Sequence, residues 1–221
     1  MRLLRQPRPG LIGAARLPFF RAAALDRRLN VVAFWNLASD SLDKSGGGHD
    51  GTDTSVTYDG SQATYTGTGK TAISVISVGT TFTWSAWVNL NDISTGSYRT
   101  IITNAASDFG IFARRPTGTT VKLNFFYSGA DHLSSAVFAA TTLTHVAVVC
   151  SAGAVTLYFN GVASGTYSSA VAGTLSQIGN DPFSDRLAGK LRCAGLFSDA
   201  KDAAWVTSVY NGGTPLPWAS M

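Results

Sequence analysis

Apolar and polar residues alternate along much of the chain after residue 30. In the segment Phe82–Leu90, one face of a strand would carry Phe82, Trp84, Ala86, Val88 and Leu90. The same period of two recurs over residues 121–127 and 155–159, as expected where successive side chains point to opposite faces of a sheet. This pattern is typical of half-buried strands in antiparallel sheets that pack as a sandwich, and it predicts an all-β fold.

The local sequence also predicts turns and one helix. Two strand-forming runs, 143–150 and Ala154–Phe159, flank a small turn around residues 151–153. The second run ends in Asn160-Gly161, a pair that favours a tight hairpin because both positions must accept a positive φ. Lys201–Tyr210 is the one segment that predicts a helix, with Ser198 or Asp199 as its N-terminal cap and Gly212 at its end.

Several segments in order resemble the laminin-G-like branch of the concanavalin A-like jelly rolls. The resemblance is carried by Phe82-Thr-Trp-Ser-Ala-Trp-Val, by Thr144-His-Val-Ala-Val-Val and by Leu157-Tyr-Phe-Asn-Gly. It implies a concanavalin A-like jelly-roll β-sandwich of two antiparallel sheets with one short C-terminal helix. Outside the resemblance, the Pro- and Arg-rich start of the chain predicts an extended N-terminal arm. The predicted divisions are a basic anchoring arm over residues 1–30, a jelly-roll domain over 31–214 and a C-terminal tail over 215–221. Such folds mostly bind sugars or proteins, and only some cut glycans, so the fold alone does not assign a function.

Charge is concentrated at the N-terminus. Residues 1–30 carry a net charge of +6 and the whole chain +4, which leaves −2 for residues 31–221. A slightly acidic domain argues against nucleic-acid binding through the jelly roll. We expect the arm to dock onto a partner protein through Arg2, Arg5, Arg8, Arg16 and Arg21. Its apolar runs are too short and interrupted for a membrane span or a secretory signal, while an Arg-rich mitochondrial presequence remains an alternative. Deleting residues 1–30 is expected to leave a folded domain.

Catalysis is not expected. Glucanases of the superfamily use a Glu-x-Asp-x-x-Glu strand, and all 13 acidic residues here are Asp. Retaining hydrolysis needs two carboxyl groups about 5 Å apart, and no Asp-x-Asp pair lies in a predicted strand. His145 is part of the family-like strand and is predicted to be structural. Cys150 and Cys193 are predicted to be two small buried hydrophobes, with a bridge between them as the alternative.

Two kinds of binding site are candidates. Relatives of this fold often hold calcium on loop carboxylates, so no cofactor is expected except a candidate calcium ion in the loop that contains Asp40, Asp43, Asp50 and Asp53. Asp181 and Asp185 form a second, weaker acidic loop. Exposed aromatic rings that stack on sugars are the other candidate, and the loop or strand-end candidates are Tyr98, Tyr127, His132, Tyr167 and Phe183.

The leading functional hypothesis is a non-enzymatic structural protein of a bacteriophage virion. It would decorate the capsid or belong to the tail or fibre apparatus, be made in the host cytoplasm and be present in multiple copies. The arm would dock it to other virion proteins, and the jelly roll would face outward to contact host-surface glycans. The first alternative is a free carbohydrate-binding lectin domain, and the second is an organellar protein with an uncut presequence.

Overall fold

The computed structural model describes residues 26–91, 98–116, 120–139, 141–183 and 185–221. Strands dominate this part of the chain. They are β1 (Val31–Trp35), β2 (Thr52–Tyr58), β3 (Ala63–Val78), β4 (Phe82–Leu90), β5 (Tyr98–Thr103), β6 (Gly110–Arg114), β7 (Val121–Tyr127), β8 (Ala130–Phe138), β9 (Thr144–Ser151), β10 (Ala154–Phe159), β11 (Val162–Tyr167), β12 (Gly173–Ile178) and β13 (Ala188–Phe197). One helix, α1 (Ala203–Tyr210), and two short 3-10 helices, Asn211–Gly213 and Trp218–Ser220, follow the last strand.

The strands pair antiparallel and form two packed layers. The order of hydrogen-bonded neighbours is β11-β10-β9-β4-β13-β3-β12-β5-β6-β7-β8, with β1 beside β13 and β2 beside β3. The long strand β3 joins the layers, because its start pairs with β13 and its end with β12. We call β11, β10, β9, β4, β13 and β1 the first layer, and β12, β5, β6, β7 and β8 the second layer. This arrangement confirms the predicted jelly-roll sandwich.

The main core lies between the layers. Phe82 of β4 meets the ring of Phe125 of β7 at 5.8 Å, and Phe138 of β8 meets Phe159 of β10 at 4.9 Å. The inward residues predicted from the alternation of β4 all belong to this buried cluster. Burying a large apolar side chain contributes about 1.5–3 kcal/mol, so this cluster is the main source of stability.

Both predicted hairpin turns are confirmed. Asn160 and Gly161 have φ values of 47° and 80°, and β10 ends at Phe159 as the sequence predicted. The turn before β10 likewise has positive φ at Ala152 and Gly153. Two consecutive positive φ values match the right-handed twist of the strands on either side. The turns therefore set the register of β9, β10 and β11.

The outer face of the first layer is buried, although its strands were predicted to be half-buried. Trp87 of β4 stacks on Tyr210 of α1 with ring centroids 5.8 Å apart, and Phe197 of β13 meets Trp205 edge-on at 4.8 Å. The C-terminal residues continue this cover, since Trp218 packs on Phe34. The half-buried prediction was wrong for β4 because α1 and residues 211–221 cover its second face.

The predicted helix is confirmed, but its caps differ from the prediction. The helix begins at Ala203, and the carboxylate of Asp202 accepts a hydrogen bond from the Trp205 backbone N–H at 2.7 Å. Asp199 instead pairs with Lys201 at 3.0 Å, so it is not available as a cap. Asn211, with φ 48°, ends the helix in the left-handed conformation one residue before Gly212. In the described part of the chain, no helix is long and apolar enough to cross a membrane.

Residues 26–30 pack against the C-terminal elements. The Arg27 carbonyl accepts a hydrogen bond from the Trp205 indole at 3.3 Å, and the Leu29 carbonyl accepts one from the Lys201 ammonium. The Arg28 guanidinium lies 5.2 Å over the Trp218 ring. These contacts cross the predicted boundary between arm and domain at residue 30. We call residues 26–30 with α1 and residues 211–221 the terminal cover.

The two cysteines are free and buried, which confirms the main prediction of two small buried apolar residues without a disulfide. Cys150 is buried in the cluster between the layers, whereas Cys193 lies beside Phe34 and Trp87 beneath the terminal cover. The two thiols therefore belong to different apolar clusters, on opposite faces of the first layer.

Candidate functional site

The outer face of the second layer carries three aromatic rings. Tyr98, Phe112 and Phe126 come from β5, β6 and β7, and each alternates with residues that point into the core. The rings meet edge to face, with centroids 5.6 Å apart for Tyr98 and Phe112 and 6.4 Å for Phe112 and Phe126. Edge-to-face contact fixes the orientation of each ring. We call these three residues the aromatic floor.

A partly buried carboxylate, that of Asp131, holds Tyr98 in place. The Tyr98 hydroxyl donates a hydrogen bond to the Asp131 carboxylate at 3.0 Å, and the Asn124 amide donates to the same carboxylate at 2.7 Å. Arg114 forms an ion pair with Asp131, and its guanidinium lies 4.8 Å over the Tyr98 ring. Because the hydroxyl and the ring face are both engaged, Tyr98 presents a fixed surface.

A loop held by one carboxylate stands beside the floor. Asp181, only 6% exposed, accepts hydrogen bonds from the backbone N–H groups of Phe183 and Asp185 at 3.0 and 2.8 Å. Its other oxygen accepts the hydroxyl proton of Ser107 at 3.0 Å. This anchored loop presents Phe183, whose side chain is 71% exposed. Phe183 therefore lies on the surface beside the floor and not in the core.

The floor and the loop enclose an open cleft. Its volume is about 140 Å³, and it is lined by Tyr98, Ser107, Phe112, Phe126, Asp181, Phe183 and Asp185. This volume is below the roughly 300–1,000 Å³ of typical small-molecule sites, but the cleft combines apolar walls with a few polar groups as they do. Burial, together with the charge of Asp181, raises the pKa of the Asp185 carboxyl. The cleft is therefore a small aromatic site with acidic groups at one side.

The structure divides the five predicted sugar-binding residues into two groups. Tyr98 and Phe183 line the cleft. Tyr127, His132 and Tyr167 lie together elsewhere, where the edge strands β8 and β11 of the two layers meet. There the rings of Tyr127 and His132 stack at 3.8 Å, and Tyr167 meets His132 edge-on at 5.0 Å.

Hydrogen bonds show how this second group is used. The Tyr127 hydroxyl donates to the Ser168 carbonyl at 2.9 Å, and the Tyr167 hydroxyl donates to the Leu133 carbonyl. Each bond connects a residue of one layer to backbone of the other. The three rings thus join the open edges of the sandwich, and their role in ligand binding stays a prediction.

Sequence reasoning missed two of the floor residues. Phe125 and Phe126 are adjacent in β7, so one ring of the pair had to point away from the core. The outward residues of that strand are otherwise polar, namely Lys122 and Asn124. Phe126 therefore interrupts a polar face, and this was the available signal. Phe112 carried no comparable signal, because β6 is buried along most of its length.

The four carboxylates of the predicted calcium loop bind protein groups. Asp43 accepts backbone hydrogen bonds from Phe34 at 3.0 Å and from His49 at 3.1 Å. Asp50 accepts the Asp43 N–H at 2.8 Å, and Asp40 pairs with Lys44 at 2.9 Å. Asp43 also accepts hydrogen bonds from the Ser45 N–H and hydroxyl, and these bonds shape the turn. Partial burial raises the pKa of the Asp43 carboxyl, but the hydrogen bonds from Ser45, Phe34 and His49 outweigh it, and the pKa is lowered.

Asp53 faces a different set of donors. It accepts hydroxyl protons from Thr71 at 2.6 Å, Tyr58 at 2.7 Å and Ser41 at 3.0 Å. Within the residues described, no three His, Cys or Asp side chains are grouped as metal ligands. Calcium at Asp40–Asp53 stays an untested prediction.

His145 lies beneath the terminal cover. It is 1% exposed, its Nε2 lies 2.8 Å from the Ser85 hydroxyl, and its ring packs on Trp87 at 5.2 Å. Burial lowers its pKa to about 3. A base shielded in this way has no access to substrate, which fits the structural role predicted for it. The predicted docking residues Arg2, Arg5, Arg8, Arg16 and Arg21 lie outside the described residues.

A family comparison identifies the fold family. The laminin-G-like model of the concanavalin A-like lectin/glucanases superfamily matches residues 50–207. The chain belongs to this superfamily. The matched range runs from the loop before β2 to the middle of α1, so it includes the aromatic floor and the Asp181 loop. No curated protein sequence matches the chain.

Solved structures share the fold at low sequence identity. Domain 4 of the extracellular arabinanase of Geobacillus stearothermophilus, solved with arabinotriose, is 19% identical with a TM-score of 0.70, over 82% of this chain and 98% of that one. The heptameric SAP-like pentraxin of Limulus polyphemus is 16% identical with a TM-score of 0.54, over 66% and 80%. The binding domain of Paraclostridial Mosquitocidal Protein 1 is 15% identical with a TM-score of 0.63, over 85% and 53%. These likenesses support the fold.

Proposed function

We propose that this chain is a non-enzymatic, lectin-like domain that binds carbohydrate in the cleft between the aromatic floor and Phe183. The observation that carries the proposal is the anchored loop. Asp181 fixes the backbone of a strongly exposed Phe183 beside a rigid Tyr98. Rings held in their binding orientation lose little entropy when a ligand stacks on them.

The comparisons support a sugar as the ligand. The superfamily is named for lectins and glucanases, and the arabinanase domain of similar fold was solved with arabinotriose. Sugar rings have apolar C–H faces that pack on aromatic rings and hydroxyl groups that bond to carboxylates. The cleft offers both kinds of contact, with the partly exposed Tyr98 and Phe126 rings, Phe183 and the Asp185 carboxylate.

The state of the two carboxylates in the cleft supports binding without hydrolysis. Hydrolysis requires a second carboxylate free to act as nucleophile or base. Both oxygens of Asp181 accept hydrogen bonds from the protein, and its side chain is almost fully buried. Among the described lining residues, only Asp185 has a carboxyl group that accepts no hydrogen bond from the described protein groups. We expect no sugar release when the chain is incubated with oligosaccharides that it binds.

The test is a glycan array followed by calorimetric titration of the best ligand. Phe183→Ala should weaken binding by about two- to tenfold, because a stacking contact contributes about 0.5–1.5 kcal/mol. Val162→Ala is the matched control, since Val162 is 68% exposed on β11 in the other layer. It should bind as the unmodified chain does. Equal affinity of the Phe183 variant and the unmodified chain would rule out this cleft.

The virion setting is a separate hypothesis that rests on the basic arm. It is supported by the +6 charge of residues 1–30 and by a lectin-like domain that could face host glycans. Co-sedimentation with particles that lack the protein tests it. Binding by the full chain, but not by a chain without residues 1–25, supports docking through the arm. Sugar binding without particle binding favours the free lectin domain.

A further inference from the structure

The hydrogen-bond donors of the cleft are used within the protein, whereas some of its acceptors are not. The backbone N–H groups of Phe183 and Asp185 and the hydroxyl proton of Ser107 are all given to Asp181. The Tyr98 hydroxyl donates to Asp131. These donors of the lining therefore all bond to protein acceptors and are not available to a ligand.

Acceptors, in contrast, remain available. The Asp185 carboxylate accepts no hydrogen bond from the residues that the structure describes, although its backbone carbonyl accepts one from the Thr100 N–H at 3.0 Å. A carboxylate accepts through two oxygens, and the Ser107 oxygen keeps lone pairs after its proton is donated. The described lining thus presents acceptors and negative charge to a ligand.

The neighbouring cations do not reverse this balance. Arg114 is paired with Asp131 on the far side of Tyr98. Arg99 favours the charged form of Asp185, but burial and the charge of Asp181 outweigh it, and the pKa of Asp185 is raised. Neither arginine is part of the cleft lining. Both ionisable groups of the described lining, Asp181 and Asp185, are carboxyl groups, which disfavours an anionic ligand.

We infer that the cleft selects sugars that donate hydrogen bonds and carry no negative charge, namely neutral or amine-bearing sugars, and rejects uronic, sialylated and sulfated ones. This inference rests on the proposed function, since it names the ligand class of the same site. Asp185 is the residue that determines the selection, through hydrogen bonds to hydroxyl or ammonium groups and repulsion of carboxylate and sulfate. The small cleft also favours a chain end or a short segment of a glycan.

The experiment measures charge discrimination on one array. Neutral, amine-bearing and anionic glycans are printed at equal density, and the full chain is compared with Asp185→Asn. The unmodified chain should prefer neutral or amine-bearing glycans over anionic ones by about tenfold, a ratio that Asp185→Asn should largely remove. Added salt should also reduce the ratio, because the cleft is open to solvent.

A charge-matched control separates this effect from net charge. Asp59→Asn changes the total charge by the same amount, and Asp59 lies at the turn between β2 and β3, paired with Lys190 at 3.5 Å. The Asp59 variant should keep the preference of the unmodified chain. Loss of discrimination in both variants would show a general charge effect and overturn the role of Asp185.

The outcomes distinguish the two proposals. Binding that depends on Phe183 but prefers anionic glycans would overturn the inference and leave the proposed function intact. No binding to any printed glycan by the full chain would contradict the proposed function, and the inference with it. A preference for neutral or amine-bearing glycans that survives in Asp185→Asn would keep the site and remove Asp185 as its determinant.

Discussion

The two outer faces of the sandwich are built from similar residues and used differently. On the first layer, Trp87 and Phe197 point outward, and the terminal cover buries both. On the second layer, the aromatic floor also points outward, and in the described part of the chain the anchored loop beside it leaves a cleft open. An outward aromatic residue of a sheet therefore becomes part of the core when other segments cover it. When they do not, it stays available as a binding surface.

Covered and exposed aromatic rings contribute differently to the free energies of folding and of binding. A covered ring contributes to folding because its apolar area leaves water on folding. A ring that stays partly exposed contributes less to folding and can contribute to binding when a ligand covers it. Trp205 and Phe183 represent the two cases, at 3% and 71% exposure.

The largest expected effect comes from exchanging these two aromatic residues for alanine. Trp205→Ala should lower the free energy of unfolding by about 3–5 kcal/mol, because it leaves a cavity over Phe197. Phe183→Ala should change it by less than about 0.5 kcal/mol, as for an exposed site. Chemical denaturation of both variants measures this contrast. Similar losses of stability would mean that the two faces do not differ in this way.

A smaller effect is expected from shortening the N-terminus. Removing residues 1–25 should leave stability unchanged, whereas removing residues 1–30 should cost about 1–3 kcal/mol by leaving buried polar groups without partners. The groups concerned are the Trp205 indole N–H and the ammonium of Lys201, which is 8% exposed. Thermal unfolding of the two truncated chains checks this. Equal stability would support the domain start at residue 31 that the sequence predicts.

A separate, pH-dependent effect concerns the acid stability of the fold beneath the terminal cover. The pKa of His145 falls to about 3 in the folded protein, from an ordinary value near 6.5. The unfolded chain therefore binds the proton more tightly, and the contribution of neutral His145 is fully present above pH 6.5 and is lost as the pH falls toward 3. We expect a slope of about 1 kcal/mol per pH unit in this window.

His145→Gln is the matched variant for this prediction. It can keep a hydrogen bond to Ser85 but has no group that titrates. Denaturant unfolding between pH 6.5 and 4 should then show a flatter profile than that of the unmodified chain. This window lies mostly above the range in which Asp43, with its lowered pKa, is protonated. An unchanged slope would assign the acid sensitivity to other groups.

Much of the fold could be predicted because its determinants are local. The bounds of β4 and β10 follow from alternation, and the Asn160-Gly161 turn follows from the φ values that it requires. The candidate site was predicted only in part. Tyr98 and Phe183 were identified as aromatic residues near loops, but Tyr127 looked the same in sequence and joins the two layers instead.

The sequence by itself determined the strands, the hairpins, the helix and the jelly-roll class, because period, turn chemistry and motif order act over a few residues. Only the tertiary structure decided which outward aromatic residues are covered. Phe112 and Phe126 meet Tyr98 through strand pairing, and Asp181 reaches Ser107 across 74 positions of the chain. Such contacts depend on how distant segments pack, and composition and spacing carry no record of that packing.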